Sequence, residues 1–190
     1  MILIVSLVGE EGSLHELEFV KPVERLVRAA GMPAVVRHHS RMEETEVSCS
    51  GIILCGTALG DISVLRCVER FSFLSDCSRP VLGICTGANL LSLVHGGDVE
   101  DSTEIGMVEA HMIMEDRVLG DLEGREVFAL HTLAPVPSDA FDIIARSPNC
   151  VQAFRDAAHS TYGVLFHPEV RHRGIIERFC VLCMKGGGGD

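Results

Sequence analysis

The sequence predicts an α/β fold with a doubly wound, mostly parallel sheet and an antiparallel addition. In the first half of the chain, short apolar runs alternate with amphipathic segments, which is typical of strands that alternate with helices. In the second half the apolar segments are short and closely spaced, which favours antiparallel strands. Hydrophobic residues make up 47% of the 190 residues, which fits a sheet buried on both faces.

Four strands and three helices are predicted in the first half of the chain. The strands are predicted at 2–7, 33–37, 51–55 and 81–84, and the helices at 17–30, 62–74 and 88–94. In helix 17–30, Phe19, Val23 and Val27 lie on one face, and Gly31 supplies a stop. The strands are nearly unbroken apolar runs, which is typical of parallel strands covered on both sides.

Five strands and a closing helix are predicted in the second half. The strands are predicted at 106–114, 125–131, 141–145, 151–154 and 163–166, and the helix at 175–184. We expect one domain over residues 1–185, followed by a flexible glycine-rich tail at 186–190. The whole arrangement is flavodoxin-like, and such sheets place functional residues beyond the carboxyl ends of their strands.

Charge and composition argue against several classes of partner. The formal net charge of −11 disfavours nucleic acid and anionic membranes, and the absence of Trp leaves little to stack on bases. The apolar run from Met1 to Val8 is too short for a signal peptide or a membrane span. We therefore expect a cytoplasmic protein that binds neither nucleic acid nor membrane.

The eight cysteines are expected to be mostly reduced core thiols, because no secretory signal is visible. Cys180 and Cys183 share one face of the closing helix, at a spacing of three residues. A metal or redox role would need further ligands or a helix start, and the sequence offers neither. We predict no metal and no cofactor.

The segment Gly83-Ile84-Cys85-Thr86-Gly87 has the pattern of a nucleophile elbow with Cys in place of Ser. A strand that turns sharply into a helix strains its central residue and needs small neighbours where strand and helix nearly touch. The turn would place the Cys85 sulfur beside the first N–H groups of a helix, which favour a thiolate and can hold an oxyanion. A buried structural cysteine between two chance glycines is the alternative.

A second motif, His167-Pro168-Glu169, follows the last predicted strand. Residues two apart in an extended chain point to the same side, so His167 and Glu169 can act together. A Cys nucleophile needs a base, and the base needs an orienting carboxylate. Cys85, His167 and Glu169 supply all three groups, whereas a His and a Glu at a solvated strand end is the alternative.

At these residues the sequence resembles the class I glutamine amidotransferases, whose elbow and H-P-E segment complete a Cys-His-Glu triad. Within that family it is most similar to the glutaminase subunits of two-subunit GMP synthases. The similarity includes Val170 and His172 after the triad, the segment 140–147, and His131 at the place of an S-H-x-D segment.

The sequence also departs from the family pattern. Asn89 stands where the family has a substrate-contacting Gln, and Gly56-Thr57-Ala58 replaces the G-G-P oxyanion loop. The acidic residue expected after His131 is missing, and Ala134 lies in that stretch.

The resemblance implies glutamine hydrolysis, with an oxyanion held by the backbone N–H groups of Thr57 and Thr86. Gly56 and Asn89 would contact the substrate. The ammonia would pass to a separate synthetase subunit of the ATP-pyrophosphatase type, which converts XMP to GMP. His131 and His172 are candidates for the docking face, and ordinary surface histidines are the alternative.

Two other functions stay open at this point. One is a partner-independent hydrolase of another γ-glutamyl amide, which would be active alone. The other is a degenerate amidotransferase-like protein that binds or regulates a partner, as the changes at Thr57, Asn89 and Ala134 would allow.

Overall fold

The computed structural model describes residues 1–42, 48–120, 122–156 and 158–186. The strands are β1 (Ile2–Ser6), β2 (Ala34–His38), β3 (Gly51–Leu54), β4 (Val81–Ile84), β5 (Asp98–Met112), β6 (Arg125–Val136), β7 (Asp142–Arg146), β8 (Val151–Asp156) and β9 (Thr161–Val164). The helices are α1 (Lys21–Ala29), α2 (Thr86–Val94) and α3 (Gly174–Gly186). No helix in these ranges combines the length and apolar composition that a membrane span requires.

The nine strands form one sheet in the order β2-β1-β3-β4-β9-β8-β7-β5-β6. The first five strands in this order run parallel, and the remaining pairings are antiparallel. The predicted fold class is therefore confirmed. Because β4 and β9 are parallel neighbours, the segments that follow them, with Cys85 and His167, leave the same edge of the sheet.

Helices cover both faces of the parallel half, as a doubly wound fold requires. Alternate residues of β1 enter different cores: Ile2 and Ile4 pack in the cluster that includes α1 and α3, whereas Leu3 and Val5 pack in the cluster that includes α2. All four side chains are almost completely buried. This burial on both faces explains the unbroken apolar runs in the sequence.

The antiparallel addition differs in detail from the prediction. β5 and β6 are not short strands but a long hairpin of 15 and 12 residues, with a bulge between Asp101 and Glu104. The first part of β5 is acidic and has no apolar run, so its pairing with β6 was not visible from periodicity. The hairpin matters for function, because β6 crosses beside α2 and the elbow.

Three further expectations need correction. The helix predicted at 62–74 consists of two 3₁₀ segments, Ser63–Arg66 and Val68–Leu74, separated by Cys67 with a non-helical backbone. Helix α1 is preceded by a π-helical turn, Glu16–Val20. Gly186, predicted to begin the tail, is the last residue of α3, and residues 187–190 lie outside the described ranges.

Candidate active site

The elbow at Cys85 has the strained backbone that its sequence predicts. Cys85 has φ 50° and ψ −108°, a conformation that L residues rarely adopt, and α2 begins at the next residue. A Cβ at Gly83 would lie 2.5 Å from the Gly87 carbonyl oxygen, and one at Gly87 would lie 2.5 Å from the Leu54 carbonyl oxygen. Strand and helix therefore do touch here, and glycine is required at both positions.

His167 and Glu169 form a buried pair beyond the adjacent strand β9, which ends at Val164, and residues 168–170 form a turn. Nδ1 of His167 lies 2.7 Å from Oε1 of Glu169, and both side chains are about 1% exposed. The carboxylate can only accept, so Nδ1 carries the hydrogen and Nε2 faces away from Glu169. The His167 ring also packs against Phe19, with ring centroids 5.6 Å apart.

The protonation of His167 depends on its two partners. Burial disfavours the imidazolium, but contacts and charge interactions with Cys85 and Glu169 outweigh burial and raise the pKa of His167 to about 10. The Cys85 thiol donates to the Leu130 carbonyl at 3.5 Å, and Nε2 of His167 is buried without a hydrogen bond. With this pKa both ring nitrogens carry a hydrogen at neutral pH, so Nε2 can donate to the Cys85 sulfur, and such catalytic contacts are often loose before substrate binds.

Gly56 lies in the narrow space between Cys85 and His167. A Cβ at this position would lie 2.8 Å from Cε1 of His167 and 3.2 Å from Cβ of Cys85. The absence of a side chain at Gly56 therefore allows the two groups to approach each other.

The next residue, Thr57, connects its loop to the elbow. Its hydroxyl donates to the Asp61 carbonyl at 2.7 Å and lies 2.7 Å from the hydroxyl of Thr86. Because Thr57 donates its hydroxyl hydrogen to Asp61, Thr86 must be the donor in the hydrogen bond between the two hydroxyls. Thr86 is the first residue of α2, where backbone N–H groups have no acceptor within the helix.

The cleft beside Cys85 is almost closed. Its volume of about 20 Å³ is lined by the loop 57–62, the elbow and residues 130–133 of β6. This is room for about one water molecule. Asn89, at 3% exposure, donates from Nδ2 to the Leu133 carbonyl at 3.4 Å, and its Oδ1 is buried without a partner. A substrate the size of glutamine needs the cleft to open.

Comparison with known proteins identifies the family. The family model described as glutamine amidotransferase class-I matches residues 16–179. The chain belongs to this family. The resemblance seen in the sequence is confirmed, and the chain is a glutamine-hydrolysing amidotransferase by family.

Individual relatives agree with this assignment. The glutamine-hydrolysing GMP synthase subunit of Methanococcus vannielii is 32% identical over 179 residues, which cover 87% of this chain and 92% of that protein. Its counterpart in Sulfolobus acidocaldarius is 34% identical over 139 residues, which cover 66% of this chain and 74% of that protein. The crystal structure of a provisionally assigned GMP synthase subunit from Thermoplasma acidophilum has a TM-score of 0.81 at 24% identity, over 97% and 94% of the chains, and supports the fold alone.

Strand β6 of this amidotransferase contacts three of the predicted site residues through its backbone. The carbonyl of Phe128 accepts from the His167 backbone N–H at 2.8 Å. The Leu130 and Leu133 carbonyls accept from Cys85 and Asn89, respectively. The sequence analysis did not select these residues, because a backbone carbonyl leaves no signal in the side-chain pattern.

The two histidines expected at the docking face have different surroundings. His131 is 3% exposed, so neither a docking role nor an ordinary surface position is correct for it. Its Nδ1 lies 3.0 Å from the Ser102 carbonyl, and its Nε2 lies 3.2 Å from the buried carboxylate of Glu104. His172 is partly exposed and donates from Nε2 to the Glu126 carbonyl at 2.8 Å. This hydrogen bond holds its side chain against β6.

Among the described residues, one group of His, Cys and acidic side chains is compact enough to hold a metal ion. The ligand atoms of Glu104, His131 and Cys150 lie within 4.8 Å of one another, and all three side chains are buried. Cys180 and Cys183 do not belong to it. All eight cysteines are free thiols; five of them are buried, and Cys49, Cys67 and Cys77 are partly exposed.

Proposed function

We propose that this chain is the cytoplasmic glutaminase subunit of a two-subunit GMP synthase. It would hydrolyse glutamine and pass the ammonia to a separate synthetase subunit of the ATP-pyrophosphatase type. The proposal rests on one observation: a strained Cys85 beside a buried His167–Glu169 pair, in a chain of the class I amidotransferase family. The names of the relatives support GMP synthesis as the use of the ammonia.

The first step is attack by Cys85 on the side-chain amide carbon of glutamine. The proton of the Cys85 thiol lies on Nε2 of His167, which leaves a thiolate, and Glu169 holds the imidazolium through Nδ1. The thiolate then adds to the carbon, and the amide oxygen becomes an oxyanion. The backbone N–H groups of Thr86 and Thr57 would donate to it, each contributing ~3 kcal/mol of transition-state stabilisation.

In the second step the proton moves from His167 to the leaving nitrogen. The C–N bond breaks, ammonia departs, and a thioester remains on Cys85. His167 then removes a proton from water, and the resulting hydroxide adds to the thioester carbon. Collapse of this second intermediate expels the Cys85 thiolate beside the imidazolium and releases the new carboxylic acid, which loses its proton to water and leaves as glutamate.

The closed cleft supports a partner-dependent enzyme over the partner-independent hydrolase. A volume of about 20 Å³ cannot admit glutamine. The two hydrogen bonds of the Thr57 hydroxyl, with Asp61 and Thr86, hold this loop against the elbow. Docking of the synthetase would supply the free energy to move this loop, so that glutamine is used only when an acceptor is ready.

The deciding experiment mixes this chain with the synthetase subunit from the same organism, XMP and ATP. Glutamine and ammonium chloride are supplied in separate reactions, and GMP is measured. We expect GMP in both, and Cys85→Ala should abolish only the glutamine reaction. GMP from ammonium but none from glutamine with the wild-type chain would reject the assignment. Rapid glutamine hydrolysis without any synthetase would favour the partner-independent hydrolase.

A further inference from the structure

A cavity of about 380 Å³ lies between α3 and the start of β9. It is lined by the turn after β5, by Arg155 and Tyr162, which face each other in the register of β8 and β9, and by the second half of α3. Cys85 and His167 follow the carboxyl ends of β4 and β9, whereas this cavity lies at the other end of β9, so the proposed mechanism does not use it. Small-molecule sites typically have volumes of ~300–1,000 Å³.

Positive charge dominates this cavity, although the chain as a whole has a formal net charge of −11. Among the described residues that line it, one is acidic, Asp116, and four are cationic: Arg117, Arg155, Arg178 and Lys185. Asp116 is already neutralised, because its carboxylate accepts from Arg155 at 2.6 Å and from two backbone N–H groups. The other three cations form no ion pair within the described part of the chain, so their charges are left for an anion from outside.

The guanidinium of Arg178 is held in place before any ligand binds. Its Nε donates to the Val118 carbonyl at 2.8 Å, and its Nη2 donates to the Leu119 carbonyl at 2.7 Å. A Cβ at Gly120 would lie 2.8 Å from Nη2, and one at Gly174 would lie 2.9 Å from Nη1. The two glycines therefore leave the space that this group occupies. Carbonyl groups fix its position but carry no formal charge to neutralise it.

The rest of the lining is apolar and aromatic. Val118 is buried, Tyr162 is 7% exposed, and Val181 and Leu182 come from α3. Aromatic and aliphatic side chains of this kind cover the ring systems of ligands, while a few charged groups fix their orientation. The cavity therefore suits an anion that also has an apolar body.

We propose that this cavity binds a nucleoside monophosphate. Its phosphate has a charge of about −1.5 to −2 at pH 7, whereas one carboxylate would balance only one of the three free cations. Phosphate oxygens also accept from arginine in a bidentate geometry, which Arg178 and Arg117 can supply. The base would lie against Tyr162 and the aliphatic wall. This binding does not depend on the function proposed above.

Isothermal titration calorimetry of the full chain with AMP, GMP, CMP and UMP tests the proposal. We expect saturable binding of at least one of them at one site, and binding of its nucleoside and of inorganic phosphate should be at least about tenfold weaker. A nucleoside that binds as tightly as its monophosphate would overturn recognition of the phosphate. Inorganic phosphate that binds as tightly would overturn the role of the base. No saturable binding of any of the four up to about 5 mM would overturn the site itself.

Two variants locate the bound nucleotide. Arg117 and Lys185 are exposed and make no hydrogen bond within the described ranges, so Arg117→Gln and Lys185→Gln should leave the unfolding temperature unchanged. Each should weaken nucleotide binding by about tenfold. Arg66→Gln is the matched control, because it removes the same charge from an exposed position on the α2 side of the sheet. Unchanged affinity in both cavity variants would overturn the proposal, and so would an equal loss of affinity in all three variants.

Discussion

The hydroxyls of Thr57 and Thr86 are joined by a hydrogen bond of 2.7 Å that connects the loop after β3 to the start of helix α2. In the family pattern that the sequence resembles, glycine stands at the position of Thr57. Here the extra hydroxyl also donates to Asp61 within the loop. The departure at Thr57 therefore has a physical consequence, because it fixes the loop in the arrangement that closes the cleft.

Removing this hydroxyl should open the cleft. Thr57→Val loses two hydrogen bonds with a net contribution of about 1 kcal/mol each, which corresponds to roughly a tenfold or larger increase in the open population. We expect iodoacetamide to alkylate Cys85 about tenfold faster in this variant, measured by mass spectrometry. Thr57→Ser keeps the hydroxyl and serves as the control. Equal rates in Thr57→Val and wild type would show that the loop does not limit access.

A glutamine-like diazo-ketone should label Cys85 and leave the other cysteines largely untouched. Burial raises the pKa of Cys180 to about 11 and that of Cys183 to about 12. At neutral pH less than about one in a thousand of these thiols is ionised, and the thiolate is the reactive form. Peptide mapping gives the site, and Cys85→Ala should remove the label. Comparable labelling of Cys180 and Cys183 would contradict the assignment of Cys85 as nucleophile.

Gly56→Ala should separate the nucleophile from its base. The added methyl group would lie 2.8 Å from the His167 ring, so the ring or the loop must shift. Displacements of this size at a reacting centre cost about 100-fold in rate, which can be measured as glutamine-dependent GMP formation. Gly96→Ala is the control, since its φ of +78° costs stability while a Cβ there meets nothing within 4 Å. Full activity in Gly56→Ala would contradict the proposed geometry.

Asn89→Gln should improve the use of glutamine. The Asn89 Oδ1 has no partner, and a Gln side chain reaches one methylene further toward the cleft. A contact of this kind is typically worth ~1–3 kcal/mol, so KM for glutamine should fall by about tenfold or more. Asn89→Ala, which removes the amide, should raise KM instead. If wild type is silent with every synthetase tested and Asn89→Gln restores nothing, the binding or regulatory function replaces the enzymatic one.

The raised pKa of His167 predicts how stability depends on pH. Its pKa is about 10 in the folded chain, above the usual 6.5, so the folded state binds this proton more tightly than the unfolded state. The contribution of this proton to the stability of the folded state is complete below about pH 6.5 and is lost as pH rises through about 10. In denaturant unfolding, the free energy of unfolding should fall more steeply with rising pH in wild type than in His167→Gln, by up to about 1.4 kcal/mol per pH unit. Identical slopes would show that His167 is not held in its charged form.

The sequence predicted those parts of the molecule that depend on local pattern. Strand β4 has the predicted bounds, and Gly83 and Gly87 explain the elbow through the space they leave. His167 and Glu169 were expected to point to the same side of an extended chain; they do pair, but through a turn at residues 168–170 rather than along a strand. Periodicity of apolar residues and small residues at a turn are strong signals over a few positions.

The parts that depend on distant contacts were not predictable in this way. The first residues of β5 are polar and form a strand only through pairing with β6. Glu104 looks like one more acidic residue in an acidic stretch, yet it is buried by side chains from three other segments. The segment 62–74 has helical spacing, but the backbone at Cys67 interrupts it. Local sequence cannot report tertiary partners of this kind.

The pairing of β4 with β9 has a consequence for biosynthesis. Cys85 emerges from the ribosome long before His167, because the chain completes α2 and the β5–β6 hairpin before it returns to the centre of the sheet. Until β9 inserts beside β4, Cys85 lacks the base that we propose for it, and we expect the nascent chain not to consume glutamine. Such non-local insertion is a slow event in folding. We therefore expect a glutamine-like electrophile to label Cys85 only after the central strand is in place, so that the label reports completion of the fold.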